Sequence, residues 1–325
     1  MVKLPDIEGL ESYWARFVEH RPDPAANPTT DRLLLDTLGL GNQQVLRFLL
    51  NDRPDFDGFR RWIVETAGQP DPLLLDRHNA HRQGRLHSPA AQAALDAIDA
   101  MPPVLDAADL ARWDETGILV LRSAITPEQA AAAAAFIWEA AAATPDDPSS
   151  WYGDSVDGIM IPRYRHPSLD VARTSPRIHK AFGQLWGRAD LWMLIDLVGF
   201  NPPVTARRGF RGSPLHWDVS LARPIPFATQ AVLYLTDTAA SQGAFRAVPG
   251  FHHRIDGWLD SLGTTDPRSV DLSAEAITIP GKAGDLVIWR QDLPHGASPN
   301  HAKSPRLVQY LTMYPPDLEV REEWA

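Results

Sequence analysis

Apolar positions recur every three or four residues through the first hundred residues of the chain, and nothing there alternates with the two-residue period of a strand. From Asp31 to Leu50 this spacing predicts helix, broken around Gly39-Leu-Gly41, and Phe56 to Ala67 repeats it with Trp62 and Ile63 on one side. Pro89 to Met101 reads as an alanine-rich helix that stops at Pro102-Pro103. A second alanine-rich helix is predicted from Thr126-Pro-Glu-Gln129, with Thr126 as N-cap, Pro127 at the first helical position and Gln129 closing a capping box. From Leu191 onward the pattern changes to short strands separated by Pro, Gly and Asp. They include Gln230 to Asp237, the apolar run that follows Gly284-Asp285, and Pro305 to Leu311. Helices followed by a strand-rich half predict an α+β fold in which helices buttress a β-sandwich or barrel. The boundary is expected near residue 105, with a helical extension over 1–105 and the strand-rich domain over 106–325. The extension's apolar faces (Leu33, Leu34, Leu46, Phe48, Leu49, Phe59, Trp62, Ile63) are too extensive to stand in water. They are expected to pack on the barrel or on a second subunit, the latter giving a homo-oligomer through these helices.

Composition narrows the class. A chain of 325 residues with 44% hydrophobic content and 11 tryptophans supplies a real core. A net charge of −10 argues against nucleic acid or an anionic membrane as partner, because both reward basic surfaces. The absence of cysteine removes disulfides, thiolate metal sites and cysteine nucleophiles, and fits a reducing cytoplasm. The opening Met1-Val-Lys-Leu-Pro-Asp6 lacks the apolar core of a secretory leader, and no run approaches membrane-spanning length. A soluble, cytoplasmic protein acting on a small molecule is expected.

The chemistry concentrates in Ser213-Pro-Leu-His-Trp-Asp-Val-Ser220. Read as a strand, this segment would project His216 and Asp218 into one cavity and turn Trp217 away. Two neutral imidazoles and one carboxylate make a three-point facial ligand set that leaves coordination positions open, the usual cage for non-haem Fe(II) that handles O2. The third ligand must come from elsewhere, and His295 is the best candidate, just past the end of the apolar strand that follows Gly284-Asp285. Arg306 opens the next strand, where its planar fork can grip a carboxylate through two parallel hydrogen bonds.

Other residues carry two readings each. His78, His81 and His87 could form a second metal cluster, but their neighbours are arginines, which favours a solvated face. His252 and His253 follow Pro249-Gly250. As neighbours on an extended chain they would face opposite ways, and a turn is the favoured reading. Arg163 and Arg165 could hold a cosubstrate or an acidic substrate, or serve as surface charge, as could Arg207, Arg208 and Arg211. Gln230 could bond the cosubstrate or be a structural amide. Trp151 and Tyr152 could form a lid against substrate or simply pack on the barrel.

Taken together, Glu115-Thr-Gly-Ile-Leu-Val-Leu-Arg122, the His216/Asp218 pair, Leu235-Thr-Asp237 through Val248-Pro-Gly-Phe-His252, and Gly284-Asp285 through Asn300 to Arg306 resemble the phytanoyl-CoA dioxygenase family of Fe(II)/2-oxoglutarate-dependent oxygenases. The resemblance spans about residues 106 to 316. It implies a double-stranded β-helix (jelly-roll, cupin-like) core, iron on His216, Asp218 and His295, and the far carboxylate of 2-oxoglutarate on Arg306. It also implies that O2 is consumed and that a substrate carbon is hydroxylated as 2-oxoglutarate becomes succinate. Family members commonly carry Ser two places after the distal histidine. That place is Ala297 here, with Ser298 beside it as the hydroxyl to assist Arg306. Related halogenases put a small residue where Asp218 stands, so hydroxylation is favoured over halogenation. The competing expectation is a non-oxidative, cupin-like isomerase or binding protein with a redox-inert metal such as Zn2+. Such a protein would have no use for the Arg306 clamp. A catalytically silent interaction module is disfavoured by the complete ligand set.

Overall fold

A computed structural model describes residues 4–321, 323 and 324, so Met1 to Lys3, where the N-terminal segment read for a leader begins, lie outside it. Two compact units divide the chain. One takes the chain up to Pro102 together with Phe182–Asp196 and Met313–Val320. The other takes Pro103–Ala181, Leu197–Thr312 and the chain from Arg321. Among the described residues no helix is long and apolar enough to cross a membrane.

The first unit is mainly helical, as its periodicity predicts. Pro28–Thr37 and Asn42–Asp52 flank the glycine break, and Phe56–Ala67 matches its predicted span. Leu34, Leu35, Leu38, Val45, Leu49, Phe59 and Ile63 form a buried core with Leu10, Tyr13 and Trp14 of helix Leu10–Val18. Phe48 and Trp62 pack against it and stack on each other with ring centroids 4.3 Å apart. Leu46 is only half-buried, because the helix turns Val45 inward instead. The two later segments are stitched to this unit by buried polar groups. The carboxylate of Asp36 accepts from the Tyr314 hydroxyl (2.5 Å) and from the Ile195 amide (2.8 Å), and burial pushes its pKa up to about 7. Trp192 Nε1 donates to Thr37 Oγ1 (3.2 Å) and packs with Leu33 and Tyr314. A large aromatic buries roughly 150–250 Å2, worth about 4–6 kcal/mol at ~25 cal/mol per Å2. Truncation to a 106–325 fragment strips Trp192 and Tyr314 of Leu33, Asp36 and Thr37. The expected product aggregates or melts far below the full chain in size-exclusion and thermal-unfolding measurements. A monomeric fragment with the full chain's melting temperature would contradict this.

Strands run in chain order as β1 (Ile118–Leu121), β2 (Met160–Ile161), β3 (Trp192–Met193), β4 (Val198–Asn201), β5 (Thr229–Tyr234), β6 (Phe245–Ala247), β7 (Ile277–Ile279), β8 (Leu286–Arg290), β9 (His295–Ala297), β10 (Arg306–Tyr310) and β11 (Met313–Tyr314). β3 and β11 pair within the first unit. The second unit holds two antiparallel sheets, one ordered β1-β8-β5-β10-β4-β2 and one ordered β7-β6-β9. Val232, Tyr234, Val287, Trp289 and Val308 of the larger sheet and Phe245 and Ala247 of the smaller share one core. Tyr234 ties the sheets together: its hydroxyl donates to Ile279 O (2.6 Å) and accepts from the Phe245 amide (2.9 Å).

Helix Pro127–Ala140 starts as predicted, with the Thr126 and Gln129 side chains satisfying each other's backbone amides. The turn before β8 is built by Gly284 and Asp285. Gly284 has φ 91°, and a side chain there would run into the Ile125 carbonyl. Asp285 is buried and accepts from the Ser123 and Lys282 amides and from Arg122 Nη1 at 2.7–3.0 Å.

Candidate metal centre

The segment Ser213 to Ser220 is not a strand, contrary to its alternation. His216 makes an isolated bridge to His295, and Asp218 sits in a bend. The amides and carbonyls of His216 and His295 exchange both hydrogen bonds, each 3.0 Å. The ladder cannot grow in either direction. Pro214, at the next bonding position, has no N–H, and the Leu293 amide is already spent on Arg290 O. One backbone pair therefore holds two candidate ligands side by side, their rings 4.9 Å apart. Trp217 points the other way, as expected. It is buried against Phe251 and Trp258, with Nε1 donating to Asp292 O (3.1 Å). His295 does not trail the preceding strand. It opens β9 opposite Ala247.

His216, Asp218 and His295 bring one ligand atom each within 4.8 Å of one another. His216 Nδ1 lies 2.8 Å from Pro214 O and His295 Nδ1 lies 3.0 Å from Leu293 O. A carbonyl can only accept, so in the neutral rings Nδ1 carries the proton and Nε2 presents a bare lone pair. Both Nε2 atoms then face the Asp218 carboxylate, at 3.3 Å from Oδ1 and 3.2 Å from Oδ2. Three lone-pair donors this close repel one another unless a cation lies between them. That donor set fits a metal ion, with the two carbonyls fixing the tautomers that coordination needs. A proton on an Nε2 atom can take the cation's place: burial alone would push the Asp218 carboxyl up, but hydrogen bonds donated by the imidazoles when so protonated, and by Gln230, hold it well below the usual carboxylate range. Burial likewise disfavours a charged His216, but hydrogen bonds to Asp218 and Pro214 outweigh it and raise its pKa. His295 is buried, with Trp289 and Phe245 rings 5.1 and 6.2 Å away, whereas half of Asp218 faces solvent. The cluster thus has an apolar wall and an open side.

Arg306 opens β10 as predicted, and only 2% of it is exposed. Strand register puts it on the inward face: Arg306 and Val308 share a side, Val308 is opposite Tyr234, and Tyr234 shares its side with Gln230. Nη1 donates to Gly243 O (2.8 Å), while Nε and Nη2 are buried without a partner. Gly243 has φ 66°, and a side chain there would collide with Asn201, the residue opposite Arg306 in β4. Two free donors of a planar fork, with no carboxylate paired to them among the described residues, fit a carboxylate ligand such as the far end of 2-oxoglutarate.

The remaining candidates scatter. Gln230 is drawn into the cluster, but onto Asp218: Nε2 donates to Oδ2 (2.8 Å) and Oε1 accepts from Trp289 Nε1 (3.2 Å). Ser298 turns its hydroxyl to Ala244 O (3.0 Å). Arg163 is exposed with Nη1 on Pro162 O, and Arg165 pairs with Asp170 at 3.3 Å. Trp151 is buried and donates to Thr144 O (2.7 Å), so it packs within the unit. Tyr152 lines a crevice with Arg208, Phe210 and Asn201, its hydroxyl donating to Pro203 O (3.0 Å). Arg207 and Arg211 are exposed. His78 corrects the expectation of a solvated face. It is buried, with Nε2 on Glu8 O (2.9 Å), and burial lowers its pKa to about 4, while His81 is exposed. His252 and His253 occupy a 3-10 turn rather than extended chain, so both reach Asp114 O, at 3.0 and 2.8 Å. The orienting carbonyls of Pro214 and Leu293 left no side-chain signal in the sequence. The pairing of Gln230 with Trp289 was not legible in the sequence.

A family model for phytanoyl-CoA dioxygenase (PhyH) matches residues 113–308, more than half of the chain. A protein of Dictyostelium discoideum named for phytanoyl-CoA dioxygenase is 25% identical over 257 residues, covering 62% of this chain and 74% of the relative. An ectoine dioxygenase of Bordetella parapertussis is 26% identical over 182 residues, covering 49% of this chain and 57% of that protein. Among solved structures, EvdO2 from Micromonospora carbonacea var. aurantiaca, complexed with 2-oxoglutarate, is 18% identical with a TM-score of 0.47. That match covers 68% of this chain and 95% of EvdO2.

Proposed function

The chain belongs to the phytanoyl-CoA dioxygenase family and is an Fe(II)/2-oxoglutarate-dependent dioxygenase, and from that premise we propose that it hydroxylates an unactivated carbon of a small organic molecule. His216, Asp218 and His295 would hold the iron through two Nε2 atoms and one carboxylate oxygen. Bound iron with 2-oxoglutarate supplies the oxidising chemistry: O2 is reduced as 2-oxoglutarate loses CO2 to give succinate, and one oxygen atom goes to the substrate carbon. The protein's part is placement. Arg306 is held by Gly243 O and offers Nε and Nη2 to the far carboxylate of 2-oxoglutarate. Trp289 and Phe245 keep water from the His295 side. The open side beside Asp218 is where substrate would approach. Trp151 and Tyr152 line a crevice with Arg208 and Phe210, which supports a packing role for them over a lid. The alternation of β5, β8 and β10 in one sheet with β6, β7 and β9 in the other supports a double-stranded β-helix.

The observation that carries the reading is the half-satisfied, buried guanidinium of Arg306. Burying an unpaired cation costs several kcal/mol unless an anion arrives to match it. An isomerase with a redox-inert metal would bear that cost for nothing. The test is anaerobic reconstitution with Fe(II), with and without 2-oxoglutarate. A weak visible metal-to-ligand band should appear only with 2-oxoglutarate, and admission of air should give succinate. Iron-loaded protein that shows neither would sink the oxygenase reading.

A further inference from the structure

We infer that Gln230 is a positioning residue for the metal-binding carboxylate: Trp289 orients its amide so that Nε2 holds Oδ2 of Asp218, leaving Oδ1 as the oxygen offered to the ion. This rests on the reading of His216, Asp218 and His295 as the iron site.

The amide's orientation follows from chemistry. An indole N–H can only donate, so the atom 3.2 Å from Trp289 Nε1 must be the Gln230 oxygen. The NH2 end is then the one that lies 2.8 Å from Asp218 Oδ2, and an ionised carboxylate can only accept. Were the amide flipped, both contacts would set like groups against each other. Strand register makes the arrangement rigid, because Gln230 of β5 is directly opposite Trp289 of β8, inside the larger sheet. Trp289 is itself clamped, buried against Phe245 with ring centroids 4.2 Å apart.

The choice of a neutral amide has a consequence. Lys or Arg at this place would also bind Oδ2, but would cancel the carboxylate's charge and repel a dication close by. Gln230 fixes the carboxylate's direction and leaves its charge for the metal. Asp218 needs this support more than the histidines do. Each imidazole is steered by a backbone carbonyl, whereas Asp218 lies in a bend with half its side chain in solvent. A carboxylate free to swing could present both oxygens and occupy a position that the cosubstrate or O2 requires.

The experiment titrates the full-length metal-free protein with Co(II) alone, anaerobically, and follows affinity and the visible ligand-field spectrum. Gln230→Met keeps size and removes both hydrogen bonds. It should weaken Co(II) binding by roughly 10–100-fold and alter the spectrum. Trp289→Phe keeps the ring contacts and removes only the N–H, so a smaller loss and the same direction of spectral change are expected. The double variant should bind no more weakly than Gln230→Met, because Trp289 acts through Gln230. If Gln230→Met does not fold by circular dichroism, Trp289→Phe decides alone. Unchanged affinity and spectrum in the folded variants, or losses that multiply in the double variant, would overturn the inference. Failure of the unmodified protein to bind Co(II) would instead count against the metal site itself.

Discussion

Replacing His295 by alanine is expected to abolish iron binding or turnover outright, the largest single-residue effect in the molecule. His295 supplies one of three ligand atoms, and no other His, Asp or Glu joins their cluster among the described residues. Its ring is almost fully buried and pinned by Leu293 O, so no neighbouring side chain can swing in to replace it. Losing one of three protein ligands should remove several kcal/mol of metal affinity. His216→Ala and Asp218→Ala should behave alike. His81→Ala and His253→Ala serve as controls, since the first is exposed in the helical unit and the second is committed to Asp114 O. Iron content after desalting and succinate formation are the measurements. A His295→Ala protein that retains full iron affinity and succinate yield would mean the third ligand lies elsewhere.

Arg306→Lys should raise the apparent KM for 2-oxoglutarate at least about tenfold, equivalent to about 1.4 kcal/mol, while iron stays bound. Lysine keeps the charge but lacks the fork. Arg306 uses Nη1 on Gly243 O and still has Nε and Nη2 left for a carboxylate, whereas an ammonium cannot present two parallel N–H groups in that plane. Arg306 itself is almost fully buried, so solvent cannot compensate for the lost geometry. Initial rates across a 2-oxoglutarate series, with iron quantified in the same samples, check this. An unchanged KM would transfer the clamp to another cation. Arg163 and Arg165 are poor heirs, one exposed on Pro162 O and the other paired with Asp170.

What could be read without coordinates was whatever local geometry enforces. The glycine break between the helices ending at Thr37 and starting at Asn42, the Thr126 cap and the β5, β8 and β10 runs follow from periodicity and from capping chemistry carried by neighbouring residues. The cluster of His216, Asp218 and His295 was legible for a related reason: few residue types bind Fe(II), and they stood among motifs specific to one family. Long-range pairing was not legible. Alternation made Ser213–Ser220 look like a strand, yet its pairing stops at one bridge because of Pro214 and the occupied Leu293 amide. Gln230 was read as a cosubstrate contact or a structural amide, and only the register with Trp289 gives it Asp218 as a partner. Nor could the sequence assign Trp192 and Tyr314 to the helical unit, since their partners Thr37 and Asp36 are far away along the chain. The sequence by itself therefore determined the elements and the chemical identity of the site, because both are written in residue types and short spacings. The tertiary structure alone decided which hydrogen-bond partner each polar group took, because that choice depends on which backbone groups distant pairing has already used.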